Sequence, residues 1–111
     1  MNIVVIQGTL SRTPEPKELE SGSTLVLLDV STPTWSGVAS VPVAWFDPSS
    51  ALELEQGDEV MVLGDVRRRF FRAGGVTQSR TEVVARRVCR ATNKRGVTAL
   101  LRDAATELGA R

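Results

Sequence analysis

Arg67-Arg68-Arg69-Phe70-Phe71-Arg72 places four guanidinium groups and two aromatic rings within six consecutive residues. Guanidiniums neutralise phosphates, and aromatic rings stack on unpaired bases. Together they suggest a groove for single-stranded nucleic acid. The surrounding charge sharpens this reading. Residues 65–95 carry ten Lys and Arg against Asp65 and Glu82, a net +8, whereas residues 1–64 are net −7. The overall charge of +1 therefore hides a polarised chain. A basic block of this kind is the electrostatic footprint of a polyanion partner. The plainer alternative is that the arginines solvate outward strand faces.

Other chemistry is poorly supplied. The chain has no histidine and a single cysteine, Cys89. A Ser-His or Cys-His pair is impossible, and a metal site would have to be built from carboxylates or water. There is no phosphate-binding glycine loop and no paired Cys motif, and Asp29, Asp47 and Asp58 are scattered. No enzyme activity, cofactor or metal is expected. Cys89 reads as a small strand hydrophobe in a reducing compartment. No apolar run approaches a membrane span and no signal-peptide pattern opens the chain, so a cytoplasmic protein without membrane contact is expected.

At 111 residues the chain is long enough for one core. Ile3 to Leu10 is β-branched and apolar on both faces at its start, with Gly8 marking a bend. Thr13 to Pro16 reads as a loop, Ser21-Gly22-Ser23 as a turn, and Leu25 to Val30 as a second strand. Residues 31–40 are polar and rich in breakers, which predicts a hairpin loop. In the third strand Val41, Val43 and Trp45 share one face, opposite Ala44 and Phe46. Pro42 requires an edge or bulge there. Pro48-Ser49-Ser50 followed by Ala51 to Glu55 predicts a short capped helix. The fourth strand alternates from Val60, with Arg67, Arg69 and Phe71 on one face and Arg68 and Phe70 on the other. Phe70 continues the parity of the core residues and is expected to pack there. Ala73-Gly74-Gly75 is a turn, and the fifth strand covers Val76 to Cys89. Asn93 to Gly96 reads as a loop, and Val97, Leu100, Leu101, Ala104, Ala105 and Leu108 recur at helical spacing.

These elements describe an all-β fold: a five-stranded Greek-key barrel of the OB type, with a short helix between strands three and four and a C-terminal helix. An SH3-like barrel is the alternative, and the intervening helix tips the choice. The barrel domain is expected over residues 1–92 and a helical extension over 93–111.

Four blocks then resemble the bacterial single-stranded DNA-binding proteins. Gly8-Thr9-Leu10-Ser11-Arg12-Thr13-Pro14-Glu15 is similar to that family's Gly-Asn-Leu-Thr-Arg-Asp-Pro-Glu start, and Val43-Ala44-Trp45 to its third-strand Val-Ala-Trp. Leu54 to Gly64 resembles its Leu-x-x-Gly-Asp-x-Val-x-Val-x-Gly, and Thr81-Glu82-Val83-Val84-Ala85 its Thr-Glu-Ile-Val-Ala. The resemblance spans residues 1–90 and implies sequence-nonspecific binding of single-stranded DNA in replication, recombination or repair, by a homodimer or homotetramer. It places Trp45 and Phe71 at base-stacking positions and Trp35 in a loop that often carries another. Core packing is the alternative for Trp45. The backbone is expected to follow Arg67, Arg69, Arg72 and Arg80.

Two departures stand out. Ala39 occupies a position where the family usually has an aromatic, which removes one stacking platform. In place of a Gly/Pro/Gln-rich linker and an acidic tip that recruits replication or repair proteins, the sequence continues into an apolar helical stripe ending at Arg111. The resemblance is therefore to a tail-less variant. A protein-interaction component of replication restart, of the primosomal OB type, is the second reading, and an RNA-binding OB domain the third.

Overall fold

β-branched alternation produces long strands, and most of them wrap so that one apolar face is turned inward. The computed structural model describes residues 1–48 and 53–109. In chain order the elements are β1 (Val4–Leu10), β2 (Pro16–Glu18), β3 (Thr24–Thr34), β4 (Gly37–Phe46), β5 (Glu59–Ala73), β6 (Val76–Arg90) and α1 (Lys94–Leu108). The sheet runs β1-β5-β6-β4-β3-β2, and β1 also pairs with β3 at Thr9–Ser31 and Leu10–Val30. That pairing closes a barrel of five strands, with β2 added outside β3. Gly8 permits the closure, because a Cβ there would overlap the Ser31 carbonyl oxygen.

The barrel interior is filled by one side of each strand. Leu10, Val26, Leu28, Val30, Val43, Trp45, Val60, Val62, Val83 and Val88 form a single cluster, plugged by Leu54. Each such side chain contributes about 1.5–3 kcal/mol by leaving water. A second cluster lies outside the barrel, where Met61, Leu63 and Cys89 meet Leu100 and Ala104 of α1. Residues 60–63 of β5 are thus buried on both faces, which accounts for the unbroken Val-Met-Val-Leu run. The helix starts at Lys94, capped by the Asn93 side chain, which accepts from the Gly96 N–H at 3.0 Å. The Asn93–Gly96 segment is therefore mostly helix rather than loop.

Three further expectations change. Residues 31–40 are strand, paired from Ser31–Ser40 out to Thr34–Gly37, with Trp35 and Ser36 alone at the turn. They lack a hydrophobic alternation because this arm leaves the barrel and buries neither face. Pro16–Glu18 forms a short strand, invisible in sequence because all three residues are exposed. Of the expected helix, residues 49–52 lie outside the described residues. Glu53 to Glu55 is not helical: the Glu55 N–H donates to Asp58 Oδ2 at 2.8 Å, tying the segment into a loop.

Candidate nucleic-acid interface

Two long hairpin arms set the geometry. β4 and β6 pair in parallel at Val43–Val83 and Ala44–Val84. Each follows directly on a hairpin turn, so both turns leave the barrel from the same end. The β3–β4 turn is fastened by the Thr34 hydroxyl, which donates to the Gly37 carbonyl at 2.8 Å and accepts from the Ser36 N–H at 3.3 Å. Trp35 stands at its tip, 98% exposed. The β5–β6 turn is Gly74-Gly75, with φ of +60° and +79°, the left-handed pair that a tight hairpin requires. Arg72 Nη2 donates to the Gly75 carbonyl at 2.7 Å and braces this tip.

β5 keeps an uninterrupted alternation into the arm. The pairing with β6 does slip, since Leu63 faces Arg87 while Gly64 faces Ala85. The extra residue is Arg86, on β6. Arg67, Arg69 and Phe71 therefore do share a face, as the spacing predicts. Phe70 does not enter the core: it is 67% exposed, because β5 has outrun the barrel by that point. Arg68 beside it is also exposed, and among the described residues it takes part in no ion pair.

On the other face, Arg69 lies beside two aromatic rings. Its guanidinium carbon lies 5.5 Å from the Phe71 ring centroid and 6.0 Å from that of Phe46 on β4. Its Nε and Nη2 donate to the two Glu82 carboxylate oxygens at 2.7 and 3.3 Å. Arg80 Nε lies 3.7 Å from the same carboxylate. Arg67 is held within its own strand, donating to both Asp65 oxygens at 2.9 and 3.2 Å.

Trp45 is on the inner side of β4, 7% exposed and part of the barrel core. Its ring is not presented to a ligand. Its neighbour Phe46 lies on the opposite face of β4, half-buried, with its ring near Arg69. The signal was in the strand itself: Trp45 is in phase with Val41 and Val43, and Phe46 is not.

The basic block does not act as one surface. Arg86 and Arg87 pair with Glu107 and Asp103 of α1, and Arg90 binds the Glu53 carbonyl and lies 3.8 Å from Asp58. The hydrogen bond from Arg86 to Glu107 raises the arginine's pKa further. These three arginines fasten the helix and the β4–β5 connection to the barrel. Arg68 and Arg72, near the β5–β6 turn, have no carboxylate partner among the described residues. No cluster of three or more metal-ligating side chains occurs among the described residues.

No family model and no curated protein matches the chain. Among solved structures, it superposes on the single-stranded DNA-binding protein of Thermus aquaticus with a TM-score of 0.67 at 24% identity. The match covers 84% of this chain and 41% of that one. The fold is an OB barrel. The OB barrel expected from the strand pattern is thus present, without a helix over Glu53 to Glu55. This chain spans about two-fifths of the length of the Thermus protein. No helix among the described residues is long and apolar enough to cross a membrane.

Proposed function

We propose that this OB barrel binds single-stranded DNA without strong sequence preference, as a binding module rather than an enzyme, in replication, recombination or repair. The observation that carries the reading is the pair of arms leaving one end of the barrel. One presents Trp35 at its tip, and the other presents Phe70, Arg68 and Arg72 with the Phe46–Arg69–Phe71 cluster behind them. Exposed rings accept bases of any identity, each worth about 1–3 kcal/mol, and unpaired guanidiniums track the phosphates. The solved Thermus relative, a single-stranded DNA-binding protein, supports the same reading.

A homodimer or homotetramer fits the open side of β1. Val4 to Gly8 pair with β5 alone, and Val5 is 40% exposed. The deciding experiment is a fluorescence titration with oligo-dT of increasing length at two salt concentrations, with light scattering on the same samples. Quenching that saturates at a fixed length and weakens steeply with salt supports the proposal. No quenching at low salt overturns it.

A further inference from the structure

Glu82 is the one buried charged residue among the described residues, with its side chain wholly enclosed. An enclosed carboxylate is costly unless its oxygens are paired. Both are, and by arginines that are themselves partly open to solvent, with Arg69 at 28% and Arg80 at 38% exposure. The register sets Arg67 directly opposite Glu82, yet Arg67 turns to Asp65. Glu82 takes Arg69 instead, through a two-pronged contact that fixes the plane of the guanidinium. The same guanidinium lies 6.0 Å from the Phe46 ring and 5.5 Å from the Phe71 ring, on two different strands.

We propose that Glu82 is a positioning residue of the DNA interface: it fixes Arg69 beside Phe46 and Phe71 as one rigid stacking surface, and it holds Arg69 and Arg80 back from the phosphates. The inference rests on the proposed DNA-binding function. It assigns the hairpin's arginines to two separate tasks. Arg68 and Arg72 neutralise backbone, while Arg69 and Arg80 have their charge answered inside the protein.

The test is the dependence of oligo-dT affinity on salt, measured for the wild type, Glu82→Gln, Arg69→Gln and the double variant. In Glu82→Gln both arginines are released, so the slope of log affinity against log salt steepens by about 0.7 per freed guanidinium. Affinity at high salt, where stacking dominates, falls several-fold. A purely structural loss would weaken binding without steepening the slope. Arg69→Gln alone weakens binding about equally at every salt concentration, because its charge was already neutralised. Should Glu82→Gln fail to fold, the double variant replaces the ion pair with two amides and still frees Arg80. Its slope is then steeper than that of Arg69→Gln by about 0.7. Equal slopes in these comparisons, with the wild type binding normally, overturn the role of Glu82. Absence of wild-type binding at low salt instead defeats the DNA-binding reading itself.

Discussion

Trp45 and Phe46 are consecutive on β4 and do opposite things: Trp45 fills the barrel core, while the Phe46 ring lies outside, 6.0 Å from the Arg69 guanidinium. The alternation of a strand makes this unavoidable. Truncating each residue should therefore move different measurements. Trp45→Ala removes a large core side chain and should cost about 3–5 kcal/mol of stability, read from chemical denaturation. Phe46→Ala should leave stability nearly unchanged and weaken oligo-dT binding by about 1–3 kcal/mol. The reverse pattern would put Trp45 on the ligand.

The same contrast separates the two tryptophans in a spectrometer. Trp35 is 98% exposed and Trp45 only 7%. Acrylamide should quench the emission of Trp35 and leave that of Trp45 largely intact. Saturating oligo-dT should then protect Trp35. Trp35→Phe should abolish most of the DNA-induced quenching while reducing affinity by no more than one stacked base is worth, about 1–3 kcal/mol. A Trp35→Phe variant that still shows full quenching would mean that Trp45 senses the DNA.

How far the sequence could be read depends on how local each determinant is. The barrel was legible because Val26, Leu28 and Val30, and Val60 and Val62, alternate within their own strands. The face shared by Arg67, Arg69 and Phe71 was legible for the same reason. Phe70 keeps the core parity yet lies outside, because parity specifies a face but not whether the barrel still extends beneath it. The arm over residues 31–40 was invisible, since strands that bury nothing carry no alternation. The roles of Arg69, Arg86 and Arg87 were also out of reach. Their partners lie 13, 21 and 16 residues away and are chosen by register and helix docking. A count of cations cannot show which ones the fold has already neutralised.

That division of the basic block predicts unequal effects on salt dependence. Arg68→Ala and Arg72→Ala should each flatten the slope of log affinity against log salt by about 0.7, with affinity falling on all sequences alike. Arg86→Ala should leave the slope unaltered, because its charge is matched by Glu107. Its effect on stability should stay within about 1 kcal/mol, the range for an exposed pair. Binding isotherms at three or more salt concentrations check both statements. A slope change for Arg86→Ala as large as that for Arg68→Ala would place the DNA path along α1.

The docking of α1 is open to a chemical test through Cys89. Its thiol is enclosed with Met61, Leu63, Leu100 and Ala104, and burial raises its pKa, partly opposed by Arg87. The thiolate is therefore disfavoured in the folded state, and alkylation of the native protein should be slow at neutral pH. Because the folded pKa lies above the unfolded one, this contribution to stability is complete below the ordinary thiol range. It is lost as pH rises through the folded pKa. A denaturation midpoint that falls on going into the alkaline range, and falls less in Cys89→Ala, is the expected result. Leu100→Ala removes the residue at the centre of the same cluster and should cost about 2–5 kcal/mol. In that variant Cys89 should react faster, because the helix that covers it is loosened. Unchanged alkylation in Leu100→Ala would mean that α1 stays seated through its pairs with Arg86 and Arg87 rather than through the apolar contact.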